Sequence, residues 1–520
     1  MRPRRRTGRA LALAAPIIAV LALTVTVAGC GDMSAGAVSS RSAIRVAYQD
    51  QIAGGIDPAT FYSVEGDSVI LSVYQTLLTY KPGTNELAPS LATSWSVSPD
   101  GKTYTFQLRK GVKFQDGSGF DSSAVKQSFE REIALKGGPS YMLEEVARIR
   151  TPGPYEVVVE LKQPVAAFLD FNASMYGPKI VSPQALREHG EGDEGKHWFS
   201  EHADGTGPFE LVSYRPSGPI VLHRFDGYWG PKAKAKAVEI TIVPSIGDQL
   251  LQLRSGQLNM IAHGVEPQFL PGLEADPAQQ VLQFPAVVVP VLLLNPTKPP
   301  FEDLAAREAF LADSGAAEAA EQVYEDTADP ATTVVPPQLL PARLDPLPSP
   351  GPPRVAPTSQ EITLAYTNTE TDLRHLAERM QQSLESHGWK VSLRADSVDA
   401  QFGYESNPKG GPEAALSTYN PDAAGPATWL DPIYRTAGGL NLLGFSDKAL
   451  DRTLDEAGTT VDHERSLLKY AEAAREAGKQ FAVTPVAVKR DVIVASSNLT
   501  GFVHVPTYIW TVDYADLEEK

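Results

Sequence analysis

The segment Ser98-Pro-Asp-Gly-Lys-Thr-Tyr-Thr-Phe-Gln-Leu-Arg-Lys-Gly-Val-Lys-Phe-Gln-Asp-Gly117 joins turn chemistry to a strand period. Pro99 presets φ, Asp100 can bond its own backbone, and Gly101 tolerates a positive φ, so these three residues read as a tight turn. After them Tyr104, Phe106 and Leu108 alternate with polar residues, the period of a strand with one buried face. A strand–turn–strand unit over Trp95–Arg109 is therefore expected.

Working outward, Ile44–Tyr48 reads as a short strand, and Asp67–Leu78 has helical apolar spacing through Val69, Ile70, Val73, Tyr74, Leu77 and Leu78. Asp121 is placed to cap a helix running to about Leu135. A strand over Tyr155–Leu161 and a short helix over Pro183–His189 follow. The charged, glycine-rich loop Glu188–Gly207 precedes paired strands at Phe209–Tyr214 and Ile220–Arg224. Val238–Val243 then leads into a helix at Ile246–Ser255. Ile362–Tyr366, Asp372–His387 and Val391–Arg394 form a β–α–β unit, the one clear parallel crossover in the pattern. Helices over Asp447–Glu456 and Asp462–Gly478 lead to strands at Val483–Val488 and Val492–Ala495. Ten of the 28 residues from 330 to 357 are proline, a density that excludes regular helix or ladder and reads as an extended surface segment. Strands and helices are mixed throughout, so the fold class is α/β or mixed α+β.

Composition narrows the function. At 520 residues, 42% apolar and 21% charged, the chain can bury sizeable cores. Its net charge is −17, but five arginines lie in the first ten residues. Without residues 1–29 the body has 41 basic against 63 acidic side chains, a balance of −22 that repels phosphate backbones and argues against nucleic-acid partners. The single cysteine, Cys30, excludes an internal disulfide and any multi-cysteine metal or iron–sulfur site. Basic Met1–Arg9, apolar Ala10–Ala28 and then Gly29-Cys30 have the layout of a secretory signal. Val27-Ala28-Gly29-Cys30 resembles a bacterial lipobox, which implies a signal peptide over 1–29, lipidation of Cys30 and a flexible tether over 30–42. An uncleaved membrane anchor is the alternative. Arg4-Arg5-Arg6 lacks the Phe-Leu expected of twin-arginine export, so general secretion is favoured.

Enzyme motifs fail on inspection. Gly190–Lys196 matches a phosphate-loop skeleton, yet His197 stands in place of the magnesium-binding Ser/Thr, and Glu191, Asp193 and Glu194 would repel phosphate. Ser123-Ala-Val-Lys126 matches the S-x-x-K of penicillin-recognising enzymes without its companion motifs, and fits an amphipathic helix. His189, His197 and His202 sit among acids but lack metal-site spacing, so a solvated acidic loop is expected there. No catalytic residue, metal ligand or cofactor is assigned.

From Leu87-Ala-Pro-Ser-Leu-Ala-Thr-Ser-Trp95 through Gly117 the chain resembles the family 5 extracellular solute-binding proteins of ABC importers, the oligopeptide-, dipeptide- and nickel-binding group. Other blocks recur in order: Ile56-Asp57-Pro58, Tyr74-Gln-Thr-Leu-Leu78, Gly205-Thr-Gly-Pro-Phe209, Asp226-Gly-Tyr-Trp229, Leu294–Asp303, Gly444–Asp451 and Gly501-Phe502. Two stretches depart: Leu311–Ala320, and the proline-rich segment where the family has a helix, which together suggest a trimmed third lobe. The resemblance implies a two-lobed periplasmic-binding-protein-like clamshell with an extra inserted domain. Lobe I would comprise 43–80, 191–283 and 490–520, the inserted domain II 81–190, and lobe III 284–489.

It also implies a site. Tyr419-Asn-Pro-Asp-Ala-Ala-Gly-Pro-Ala-Thr-Trp-Leu430 aligns without gaps onto the family's ligand segment, so Asp422 takes the place of the carboxylate that holds a peptide's α-ammonium. A turn Asp after Pro421 is the plain alternative. On the same match Tyr419 would be a wall for the ligand backbone or a core aromatic, and Trp429 either ligand-facing or, more in keeping with its type, core. Val64-Glu65-Gly66-Asp67 aligns with a cleft-lining segment, making Glu65 a candidate, although acids at helix starts are common for dipole reasons. Thr206 lies in a glycine-flanked hinge-side segment, and Asn295 could line the cleft or cap a strand end. The function implied is capture of an oligopeptide for ABC permease subunits by a lipid-anchored monomer at the outer face of the cytoplasmic membrane. A non-peptide solute (a nickel chelate, sugar or opine) and a signalling or scaffold role are the alternatives.

Overall fold

The turn at Pro99-Asp100-Gly101 forms as expected: Gly101 has φ +68° and the Asp100 carboxylate accepts the Lys102 amide at 3.1 Å. Strands Ala92–Val97 and Thr103–Leu108 pair antiparallel with Trp95 opposite Phe106, and Glu156–Leu161 and Val146–Gly153 complete a four-stranded sheet. Tyr104, Phe106 and Leu108 point into its core, covered by helix Ser122–Leu135 through Ala124, Val125 and Phe129. Asp121 caps that helix, accepting the amides of Ser123 and Ala124. This is a computed structural model, and it describes residues 43–340, 346–348 and 360–520 apart from 53 and 217. The signal segment and Cys30 lie outside the described residues. Among the described residues no helix is long and apolar enough to cross a membrane.

A second and larger sheet has twelve strands. Ala43–Tyr48 lies within it, parallel to both Ala237–Ile242 and Met260–Ile261, and the antiparallel strands Ile220–Arg224 and Phe209–Ser213 extend one side. Parallel pairing is thus more extensive than the sequence pattern suggested. It was hidden because Met260–Ile261 is too short to show a period. Helix Asp67–Val73 is also shorter than its apolar spacing: Tyr74 is already extended, and Leu77 and Leu78 belong to the core of the four-stranded sheet.

Two long strands tie this region to the next. Gln279–Leu294 pairs antiparallel with Ala487–Ser496 from Gln279↔Ser496 to Pro285↔Arg490, and the register shifts between Pro285 and Val288. Beyond that irregularity it pairs with Ala414–Tyr419 and Val483–Pro485. Proline at a bulge costs no ladder bond, which is why the strand runs past Pro285. Glu361–Thr367 then lies parallel to Ala414–Tyr419 and to Lys390–Asp396, crossed over by helix Thr371–Ser386 with Leu373, Leu376, Met380 and Leu384 buried. Fold class and two-lobed form are as the sequence implied.

The described part of the proline-rich segment, residues 330–340 and 346–348, is not a surface strip. Ala328–Pro330 forms a short ladder on Ala487–Lys489, and Val334, Val335, Leu339 and Leu340 are buried in the same core as Trp429 and Tyr470. The Val334 carbonyl accepts the Trp429 indole N–H at 2.9 Å and the Gln338 carbonyl accepts Asn85 Nδ2 at 2.9 Å. Side-chain donors satisfy a backbone that proline bars from most ladder bonds.

Candidate functional site

Ligands of open α/β sheets gather beyond the carboxyl ends of the parallel strands. Ala414–Tyr419 ends in Asn420-Pro421-Asp422, and this loop is fixed from three sides. The Thr428 hydroxyl donates to the Ala423 and Gly425 carbonyls at 2.6 and 2.8 Å, and the Ala424 amide donates to the Tyr80 hydroxyl at 2.9 Å. The Ser174 hydroxyl donates to the Asp422 carbonyl.

The Asp422 carboxylate is met by two hydroxyls from distant parts of the chain. Tyr62 and Tyr141 each donate to its Oδ2 at 2.5 Å. Burial pushes the Asp422 carboxyl above its ordinary range, and the Tyr141 and Tyr62 hydroxyls pull it back down. Both phenols are driven upward, by burial first and then by the Asp422 charge, so they keep their protons and act as donors. The two tyrosine loops come together because of Gly137-Gly138: a Cβ on Gly138 would sit 2.7 Å from the Tyr62 side chain, and one on Gly137 would sit 2.7 Å from the Thr60 backbone. Tyr62 stacks at a tilt on the buried Tyr176 ring at 4.8 Å, and Tyr141 meets Phe171 edge-on at 5.7 Å. Both keep large exposed surfaces, 48% and 40%.

Glu65 lies on the same loop as Tyr62 and accepts the Ser63 hydroxyl at 2.7 Å. His263 follows the strand Met260–Ile261 and stacks on Trp510 at 5.3 Å. Burial holds its imidazole below the usual value, against the pull of Glu65 and Asp50. Across the sheet Glu370 accepts the Thr418 hydroxyl at 2.5 Å, and Lys489 is paired with Asp372 at 2.7 Å.

Four of the candidate side chains are buried, the core reading left open for Tyr419 and Trp429 among them. Tyr419 is buried in the core and spends its hydroxyl on the Leu440 carbonyl at 2.9 Å. Trp429 is wholly buried, with its indole N–H on Val334. Asn295 is equally buried, donating to the Pro408 and Pro412 carbonyls at 2.8 and 2.9 Å and accepting the Thr297 amide at 3.0 Å; it fastens a loop. Thr206 is buried with its hydroxyl on Gln75 at 3.0 Å, between glycines that lie hard against the carbonyls of Val73 and Ser72. None of these four side chains has a free polar group to offer a solute. Tyr62 and Tyr141, which do, carried no sequence signal beyond the Gly-Gly pair that admits them.

The rejected motifs stay apart from this site. Ser123 and Lys126 are spent on Gln127 and Glu130 along their helix. In the acidic loop Trp198 stacks between His189 and His202 at 4.4 and 4.9 Å. Among the described residues no group of three or more His, Cys, Asp or Glu is arranged to hold a metal.

A sequence model of "Bacterial extracellular solute-binding proteins, family 5 Middle" matches residues 86–441, and the chain belongs to that family. Among curated relatives, the glutathione-binding protein GsiB of Salmonella paratyphi A is 28% identical over 487 residues, covering 89% of this chain and 92% of the relative. GsiB of Escherichia coli O157:H7 is 27% identical over 483 residues, with the same coverage. Among solved structures, DppA of Helicobacter pylori in complex with the peptide STSA superposes with a TM-score of 0.76 at 23% identity, covering 92% of this chain and 98% of that one. NikA of Brucella suis in complex with Fe(III)-EDTA gives 0.81 at 20% identity, covering 92% and 99%. The chain is a family 5 solute-binding protein of the ABC-importer type and not an enzyme.

Proposed function

We propose that this protein is an exported, lipid-anchored monomeric receptor that captures an oligopeptide, holds its α-ammonium at Asp422 and delivers it to ABC permease subunits by closure of its lobes. The observation that carries the reading is the Asp422 carboxylate with two neutral phenols on one oxygen. An ammonium has three N–H donors, and one carboxylate with two phenolic oxygens beside it supplies acceptors for all three. Removal of water on closure strengthens that contact. The irregularity between Pro285 and Val288, in the strands common to both lobes, is where rotation would concentrate.

Calorimetry with Ala-Ala-Ala and its N-acetyl form tests the reading. Acetylation is expected to weaken binding by about two to three orders of magnitude, Asp422→Ala by a similar factor, and the two losses should not add. Equal binding of free and acetylated peptide overturns it. The relatives named for glutathione make a γ-glutamyl peptide the second reading, because it carries the same ammonium. Glutathione binding tighter than Ala-Ala-Ala would favour it.

The anchor is tested separately. Cys30→Ala is expected to release the protein from the cell envelope or to leave an uncleaved precursor on immunoblot. Unchanged mature size and membrane retention would refute lipidation.

A further inference from the structure

The turn of residues 81–86 is bonded on two sides at once. The Gly83 amide donates to the His504 carbonyl at 2.7 Å, and Asn85 Oδ1 accepts the Thr507 hydroxyl at 3.1 Å. Asn85 Nδ2 reaches the other way, to the Gln338 carbonyl at 2.9 Å. A carbonyl can only accept, so the Asn85 amide is held in this one orientation. Both partners are themselves fastened. His504 donates from Nε2 to the Pro285 carbonyl at 2.8 Å, where the register of the shared strands begins to shift. The Trp510 amide donates to Asp491 of the paired strand at 2.8 Å, and the Tyr508 hydroxyl to the Ala173 carbonyl at 2.5 Å. Residues 504–510 therefore form a strap over that irregularity.

Gln338 lies in the proline-rich segment of the opposite lobe. Its neighbours Val334, Val335, Leu339 and Leu340 are buried with Trp429, whose indole N–H holds the Val334 carbonyl. Pro336 and Pro337 fix φ just ahead of it, and the Leu339 amide closes on the Pro336 carbonyl at 2.9 Å. The Gln338 carbonyl is thus set in place before Asn85 meets it, and little freedom is lost in the contact. The lobes also meet where the exposed Ala166 donates its amide to the Gly458 carbonyl at 3.0 Å. Neither contact includes a bond to Asp422, and rotation about the irregularity would part both.

We propose that Asn85 is a positioning residue that latches the lobes together whether or not a solute is bound, so that solute enters only when the latch parts. This rests on the reading that the lobes open and close. The latch is then common to the empty closed form and the loaded form, and absent from the open one. Removing it raises the open fraction before binding and the rate of opening after it. Association and dissociation quicken together, and the affinity, which is their ratio, stays nearly constant. A contact made only after solute arrives behaves differently: association is unchanged and affinity weakens.

Hydrogen exchange of the full chain in detergent, without solute, reads the latch through the Ala166 amide, which bonds neither to Asn85 nor to its partners. Exchange there is expected to be slow in the unsubstituted protein and about three- to tenfold faster in Asn85→Ala. Asn85→Asp keeps the acceptor for Thr507 and loses the donor to Gln338, so it should match Asn85→Ala, and it decides if the alanine variant does not fold. An Ala166 amide that exchanges as an unprotected one in the empty protein, or a rate that neither substitution moves, overturns the proposal. Protection that appears only on adding Ala-Ala-Ala means that the lobes close but the empty form is not latched, so the two readings fail separately. Stopped-flow binding of Ala-Ala-Ala should show both rate constants rising by the same factor in Asn85→Asp, with affinity changed by less than about twofold. Faster dissociation alone, with affinity weakened to match, overturns the latch. The exchange result stands whichever solute binds.

Discussion

Asp57 and Asp422 are both carboxylates held in protein surroundings, and they are held in opposite ways. Asp57 receives the fork of Arg131, at 2.8 Å on Oδ1 and 2.7 Å on Oδ2, and its Oδ1 also takes the Ala59 amide at 3.1 Å. The Arg131 Nε donates to the Glu194 carbonyl at 2.6 Å and the guanidinium lies over the Phe199 ring. Charge, directionality and burial are all satisfied there, and nothing is left for a ligand. Asp422 takes two neutral donors, both on one oxygen, and stands half-buried. One carboxylate is paired with a cation within the fold, whereas the other is met by neutral hydroxyls.

The largest test of that contrast is Arg131→Met. It leaves Asp57 buried without its cation and should cost about 3–5 kcal/mol of stability in urea unfolding. A loss under about 1 kcal/mol would erase the distinction.

A third carboxylate sharpens it. Asp491 is fully buried at the crossing of the shared strands; its Oδ2 accepts the Trp510 amide at 2.8 Å and its Oδ1 has no partner. Burial pushes its carboxyl up to about 7, against the Trp510 amide and the Lys489 charge. The folded state thus keeps this proton to about pH 7, whereas the unfolded chain loses it near pH 4. Stability contributed by the group is complete below about pH 4 and is lost as pH rises through 7. Asp491→Asn should match the unsubstituted protein at pH 4 and exceed it by roughly 1–3 kcal/mol at pH 8. Parallel stability curves across that range would refute the buried, protonated state.

The smallest effect belongs to the site itself. Tyr62→Phe removes one hydroxyl from Asp422 and should weaken peptide binding by about 0.5–1.5 kcal/mol, read by calorimetry. Asp422→Ala, severe for binding, should shift unfolding by less than about 1 kcal/mol, since no cation is stranded by it.

The hairpin around Gly101, the β–α–β unit and the cap at Asp121 were legible because each is written in contiguous residues. Asp422 was reached through a contiguous resemblance, and the structure sets two tyrosine hydroxyls on its carboxylate. Its partners were not legible: Tyr62 and Tyr141 lie 360 and 281 residues away, and no local period can report a meeting at that range. Tyr419 misled because a strand end beside a site and a strand interior share one pattern, and packing against Leu440 decided it. The proline-rich segment misled for another reason. Proline density forbids ladders, but it does not forbid burial when Trp429 and Asn85 supply the missing donors.

The strand Ala43–Tyr48 lies inside a sheet whose neighbours come from residues 237–261, and Ala487–Ser496 closes the next edge through Met260 and Ile261. The Tyr48 hydroxyl meets that of Tyr514 at 2.9 Å, a separation of 466 residues. The first strand among the described residues is therefore completed by a segment more than four hundred residues further along the chain. Contacts so distant in sequence form slowly, because loop closure must precede them. A nascent chain built this way cannot finish its first lobe while it is still being synthesised. The four-stranded sheet of residues 92–161, whose strands all pair within that stretch, has no such wait.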